Sequence, residues 1–212
     1  MTTIAIDGPA GAGKSTVARA LAARLGLAYL DTGAMFRAVA FAAVQRGIDL
    51  DDIDRIGELA ETIDIEVSEH GVFVDGHDAA VEIRTPTVAA AASAIATNSR
   101  VRTELRNRQR VWARQHQGGV VEGRDIGSVV LPHADLKLYL TASPMIRATR
   151  RVSEFGGDVN EIASAIAERD LADSTRADSP LREADGSVVL DTSGMSIEEV
   201  LQTIETLLRG AS

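Results

Sequence analysis

Cysteine is absent from the 212 residues, which excludes disulfides, thiolate metal sites and a cysteine nucleophile. Aromatic residues make up only 3%, too few for the stacking platforms of a single-strand nucleic-acid binder. Lysine is confined to Lys14 and Lys137, so arginine carries nearly all of the positive charge. The opening Met1-Thr2-Thr3 runs straight into a strand-like segment, with neither a basic region nor a long apolar run. It reads as neither a signal peptide nor a membrane span, and a cytoplasmic location is expected. The net charge of −9 repels nucleic acid and anionic membranes, and neither is expected as a main partner.

What is present is ordinary in amount and uneven in placement. Hydrophobic residues at 45% and charged residues at 25% suit one globular core with room for small excursions. The arginine bias has two readings. Guanidinium forks match phosphate and carboxylate oxygens in two-point geometry, and a GC-rich genome would produce the same bias. No exposed apolar seam stands out, so a monomer is expected.

The apolar run Thr3 to Asp7, bounded by Gly8, reads as a buried parallel strand. Val17, Ala18, Leu21, Ala22 and Leu25 recur at helical spacing, with Gly26 as a C-terminal cap. Leu27 to Leu30 reads as a second strand and Ala34 to Gln45 as a second helix ending near Gly47. The middle changes character. Ile63 to Val67 alternates, Glu69-His70-Gly71 can turn, and Val72 to Val74 precedes Asp75-Gly76, which predicts an antiparallel hairpin or three-stranded patch.

Thr87 to Ala96 and Arg100 to Gln115 read as helices. Strands are expected again at Val120-Val121, Leu136 to Leu140 and Val188 to Leu190. A helix opening at Pro144 is broken by Gly156-Gly157, and the next runs to about Asp170. Ser196 and Glu199 form a capping box for a closing helix, Ile197 to Leu208. The pattern is a βαβ-rich sheet with two excursions, roughly 35–115 and 151–176.

Gly8-Pro9-Ala10-Gly11-Ala12-Gly13-Lys14-Ser15 fits G-x-x-x-x-G-K-[ST] at every fixed position, between an apolar strand and an amphipathic helix. Such a loop turns successive N–H groups inward into an anion nest, to which the helix adds the positive end of its dipole. Lys14 is expected at the β- and γ-phosphates of a nucleoside triphosphate, Ser15 on Mg²⁺, and Thr16 at the α-phosphate. Glu122, at the end of the third strand, is placed to orient Mg²⁺-bound water. The loop fixes the donor and leaves the acceptor open.

Further blocks carry a resemblance: Leu30-Asp31-Thr32-Gly33-Ala34 with Arg37, Gly123-Arg124-Asp125-Ile126-Gly127, and Glu168-Arg169-Asp170 with Asp173 and Arg176. With the phosphate loop they resemble the bacterial cytidylate kinases, nucleoside monophosphate kinases of the P-loop class, along nearly the whole chain. The resemblance implies a three-layer α/β fold with a parallel sheet flanked by helices, an inserted monophosphate-binding domain with a small antiparallel sheet, and a helical lid. Its domains would be a core of 1–34, 116–150 and 177–212, an insertion of 35–115 and a lid of 151–176. It implies transfer of the γ-phosphoryl group of ATP, bound with Mg²⁺, to CMP or dCMP in pyrimidine metabolism.

By the same resemblance Arg37 and Arg124 grip the acceptor phosphate, with Thr32 close by. Asp125 faces the base, Ser93 and Arg102 complete the base contacts, Arg169 and Asp173 face the ribose, and Arg176 meets the transferred or acceptor phosphate. One of Arg150 and Arg151 covers ATP. The family's tyrosine is Phe36 here, which loses a hydroxyl and is expected to pack in the core. Arg106, Arg110 and Arg114, recurring every four residues after Arg102, read as a solvated face. The rival readings are a kinase for another acceptor, such as UMP, AMP or shikimate, and an ATP-driven switch that needs no acceptor.

Overall fold

The computed structural model describes residues 2–68 and 71–210, so the expected turn at Glu69-His70 lies outside the described residues. The chain forms two compact units, Met1–Tyr29 with His116–Ser212, and Leu30–Gln115.

In the first unit the strand β1 (Thr3–Asp7) leads into α1 (Lys14–Leu25), which ends at Gly26 with φ 64°. A short β2 (Tyr29–Asp31) runs across the unit boundary. After the second unit the sheet continues with β6 (Gly119–Glu122), β7 (Leu136–Thr141) and β8 (Val188–Asp191), in the order β2-β6-β1-β7-β8. β1 pairs in parallel with β6 and β7, and β7 with β8. Four consecutive residues of β1, Ile4 to Asp7, are buried, as befits a central strand covered on both faces. Ile4, Ile6, Leu21, Leu138, Leu140 and Ile204 form the middle of this core, each worth about 1.5–3 kcal/mol of burial.

Three helices complete the unit: α6 (Pro144–Phe155), α7 (Val159–Thr175) and α8 (Ile197–Gly210). The capping box of α8 forms as expected, with Ser196 N–H donating to Glu199 at 2.8 Å and Glu199 N–H to Ser196 Oγ at 3.3 Å. α7 runs past the expected end at Asp170 to Thr175. Arg169 and Asp173 therefore lie on one helix, while Arg176 is the residue just beyond it, with extended backbone at φ −63°, ψ 144°.

The second unit opens with α2 (Thr32–Gln45), which starts earlier than expected because Asp31 caps it. Asp31 Oδ1 accepts the Ala34 N–H at 2.9 Å. An unexpected helix follows, α3 (Ile53–Thr62), capped in the same way by Asp52. The middle alternation resolves into a three-stranded antiparallel sheet, β3 (Ile65–Ser68), β4 (Gly71–Val74) and β5 (His77–Asp78). Next come α4 (Pro86–Ile95) and α5 (Ser99–Gln115). α2 packs chiefly on α4, and alanines are among the buried residues of both helices.

Beyond Arg102, the arginine stripe of α5 is only in part the solvated face expected of it. Arg102 is buried, Arg106 and Arg110 are half-buried, and only Arg114 is exposed. Arg108, off the stripe, donates to the carbonyls of Ala60 at 2.9 Å and Ile63 at 2.8 Å. It thereby satisfies carbonyls at the end of α3 that have no partner within that helix.

Candidate active site

Side chains from the loop and from its neighbours hold the carbonyls of the phosphate loop. Lys14 Nζ donates to Pro9 O at 2.8 Å, Arg147 to Ala10 O at 3.0 Å, and Thr192 Oγ1 to Ala12 O at 3.4 Å. With those carbonyls bonded to side chains, the N–H groups from Gly11 onward can face an anion. Gly8 is required here: its φ is 147°, and a Cβ would meet the Leu140 carbonyl oxygen at 2.0 Å. The first turn of α1 contains no acidic residue, so the helix's own side chains leave its positive end available to an anion.

Lys14 is buried, and burial pushes its ammonium well below the ordinary lysine range. The positive charges of Arg124 and Arg169 push it the same way, against the pull of Glu122 and Asp7. Three cations thus converge on one place, which an anion would relieve.

Glu122, 3% exposed, closes β6 and accepts the Tyr29 hydroxyl at 2.5 Å. Beside it Arg124 Nε donates to Asp173 Oδ2 at 2.9 Å. Arg176 donates to the Ser179 carbonyl at 2.7 Å and to Asp173 Oδ1 at 3.3 Å, with Asp125 Oδ1 3.9 Å away. The first unit therefore assembles Lys14, Glu122, Arg124, Asp125, Arg169, Asp173 and Arg176 in one neighbourhood. Arg124 pairs with Asp173, not with its sequence neighbour Asp125 as a local turn-holding pair would.

Asp7 holds this arrangement from beneath. Its two oxygens accept the N–H groups of Ile126 at 2.8 Å and Gly127 at 2.7 Å. These begin the π-helical turn Ile126–Val130 that follows Asp125. Burial raises the Asp7 carboxyl from its ordinary 3.8 to about 6, against the lowering effect of the two N–H bonds. Sequence reasoning gave Asp7 no role, although a carboxylate in the last position of a buried strand signals a partner inside the fold.

Arg150 and Arg151 part company. Arg150 donates to Thr192 at 3.0 and 2.8 Å, and a Cβ on Gly13 would lie 3.5 Å from its NH1. Arg151 pairs with Glu154 at 3.2 Å and lies over the Phe155 ring. The loop-side residue is Arg150.

In the second unit Asp31 does double duty, capping α2 and accepting from Arg37 Nη2 at 2.8 Å. The Arg37 Nε is buried and has no hydrogen-bond partner among the described residues. Thr32 is buried at the start of α2. Phe36 does not pack in the core: it is half-buried, and the Arg102 guanidinium lies over its ring at 5.5 Å. Arg102 also donates to Ala96 O at 3.2 Å. Ser93 is exposed on α4 and donates back to Ala89 O at 3.3 Å.

No cluster of three or more His, Cys, Asp or Glu side chains able to hold a metal occurs among the described residues. A cation at this site would rest on phosphate oxygens, with Ser15, exposed on the first turn of α1, and Glu122 as hard oxygen donors. That set suits Mg²⁺, which keeps several waters and binds through few protein groups.

Strand, glycine loop, buried lysine and helix define a P-loop nucleotide-binding protein. The sequence profile of the cytidylate kinase family matches residues 4–209, and the chain belongs to that family. It is 46% identical to the cytidylate kinase of Streptomyces avermitilis over 97% of this chain and 91% of that protein. The Desulforamulus reducens cytidylate kinase is 48% identical over 96% of this chain and 95% of its own length. The fold is shared with solved proteins of Eubacterium ventriosum (TM-score 0.58, 12% identity, 99% of each chain) and Thermus thermophilus (TM-score 0.50, 19% identity, 98% and 97%).

Proposed function

We propose that the protein transfers the γ-phosphoryl group of ATP to CMP or dCMP, giving ADP and CDP or dCDP, in pyrimidine nucleotide metabolism. The observation that carries the reading is that the charges of Arg124 and Arg169 bear on the phosphate-loop lysine, Lys14, while Arg124 is held by Asp173 and Arg176 stands 3.9 Å from Asp125. Family membership points the same way.

An oxygen of the acceptor phosphate attacks the γ-phosphorus, the bond to the bridging β,γ-oxygen breaks, and ADP leaves with that electron pair. The acceptor phosphate is already anionic at neutral pH, so no strong general base is needed. The chain's task is to hold two anions in line and offset the charge in transit. Gly8 to Thr16 would cradle the donor phosphates, with Lys14 at the β,γ-bridge and Arg150 covering them. Mg²⁺, bound with ATP and held by Ser15 and through water by Glu122, would supply neutralising charge on the phosphate oxygens.

Arg37, Arg124 and Arg176 would take the acceptor phosphate, with Thr32 close by. Asp125, Ser93 and Arg102 would take the base, and Arg169 and Asp173 the ribose hydroxyls. The buried, unpartnered Arg37 Nε supports an anionic ligand there. The segment 151–176, turning at Gly156-Gly157, would close over ATP and exclude water, with 35–115 serving as the acceptor-binding domain.

No helix of the described residues is long and apolar enough to cross a membrane. We place the protein in the cytoplasm as a monomer whose partners are its small-molecule substrates. A coupled ADP-release assay with Mg²⁺-ATP tests the reading against CMP, dCMP, UMP, AMP, GMP and shikimate. Turnover led by CMP and dCMP upholds it. A different leading acceptor overturns the base assignment, and no stimulation by any acceptor overturns the kinase.

A further inference from the structure

One side-chain tie on the phosphate loop comes from Asp170, a residue to which the proposed nucleotide contacts give no role. Asp170 stands one position after Arg169 on α7, and successive helical side chains lie about 100° apart, so the two cannot face the same way. Asp170 Oδ1 accepts the Ala10 N–H at 3.2 Å, and Oδ2 accepts from Arg147 Nη1 at 2.5 Å. The same Arg147 nitrogen donates to the Ala10 carbonyl at 3.0 Å, while its Nε donates to Ala142 O at 3.0 Å.

One ion pair therefore secures both the N–H and the C=O of a single residue in the loop. It stands largely out of water, with the Arg147 side chain 9% and the Asp170 side chain 21% exposed. The loop has no slack against α6 either: a Cβ on Gly11, whose φ is 75°, would meet Arg147 Cβ at 3.0 Å and its carbonyl oxygen at 3.1 Å. The tie joins the first turn of α6 and the later turns of α7, well away from the Gly156-Gly157 turn. Any closing motion of the hairpin would pivot in front of it.

We propose that Asp170 is a positioning residue of the phosphotransfer, fixing the donor loop through Ala10 and Arg147 relative to the helix that carries Arg169 and Asp173. Resting on the reading that ATP and CMP are the substrates, this makes α7 the ruler between donor and acceptor. A loop that drifts by a fraction of a bond length from its in-line geometry loses rate even when every contacting residue is intact.

The test compares wild type with D170N, R147K and the double variant for melting temperature, KM for ATP, kcat, and CMP affinity measured without ATP. Asp170→Asn keeps the shape but offers one oxygen to two donors. Arg147→Lys keeps the charge but cannot reach three acceptors, and it decides the matter should D170N fold poorly. In both single variants kcat/KM for ATP is expected to fall about ten- to a hundredfold, with CMP affinity held within about twofold. The double variant should fall no further than the worse single one, because both break the same tie.

The proposal is overturned if the variants lose melting temperature while KM for ATP and kcat stay put, or if their losses multiply like those of independent sites. Should wild type prefer an acceptor other than CMP, the functional reading fails. The same comparison with that acceptor then still decides the role of Asp170.

Discussion

Arg124 donates to Asp173 at 2.9 Å, and Arg176 reaches the other oxygen of the same carboxylate at 3.3 Å. Two guanidinium groups assigned to phosphate are thus held by the acid assigned to ribose. An incoming nucleotide would exchange these bonds: phosphate oxygens replace Asp173 on the arginines, and ribose hydroxyls take up the released carboxylate.

The exchange predicts that Arg124→Ala acts on the acceptor side. Loss of one charge-assisted contact of about 1.5–3 kcal/mol raises KM for CMP by roughly ten- to a hundredfold. KM for ATP should change far less. Steady-state kinetics with each substrate varied in turn measures both, and an equal rise in the two constants would sink the assignment.

Lys14 sits where its charge is disfavoured, lowered by burial and repelled by Arg124 and Arg169. Such a group is kept for its ligand rather than for the fold. Lys14→Met should therefore remain folded with a melting temperature at or above that of wild type, while kcat falls by about 10²–10³ or more. Saturating Mg²⁺-ATP should stabilise wild type by about 2.7 kcal/mol at a hundred times its Kd and the variant by much less. Thermal denaturation with and without nucleotide reads both effects.

Asp7 predicts a pH signature in stability. Its folded pKa of about 6 lies above the ordinary 3.8, so between these values the folded chain binds the extra proton. The contribution to stability is fully present below the ordinary value and is lost as pH rises through about 6. A shift of about two units corresponds to roughly 3 kcal/mol. Asp7→Asn removes this titration, so its stability change from pH 4 to pH 7 should lack that loss. Urea unfolding of both proteins at the two pH values measures the difference, and parallel curves would refute the assignment.

Much of this was legible because the chemistry-bearing residues sit in contiguous blocks whose spacing is set locally. The loop from Gly8 to Ser15, the strand ends before Asp31 and Arg124, and the capping box at Ser196 each depend on neighbours within a few residues. What escaped reading depends on distant partners. Asp170 acquires meaning only through Arg147 and Ala10, and Asp7 only through Ile126 and Gly127. Phe36 looked like a core residue because an apolar ring on a helix is usually buried. Arg102, far along the chain, turned it into a platform for a cation. The stripe at Arg106 and Arg110 was misread for the same reason, since periodicity gives a face but not what covers it.

Asp125 carries the prediction that separates cytosine from uracil. It is 7% exposed, with Arg176 3.9 Å away as a nearby counter-charge. A carboxylate accepts from the 4-amino group of cytosine, whereas the O4 of uracil would face it with a second acceptor and no proton. Pockets built on such a bond reject the mismatched analogue by about 10⁴–10⁵. Asp125→Ala should lower kcat/KM for CMP steeply while changing the slower UMP reaction much less, so the preference shrinks from the CMP side. Asp125→Asn should narrow it from both sides, because a rotated amide can accept from cytosine or donate to uracil. Parallel kcat/KM measurements with CMP and UMP decide the matter: a CMP-to-UMP ratio unchanged in both variants would move base selection away from Asp125 and onto Arg102 and Ser93.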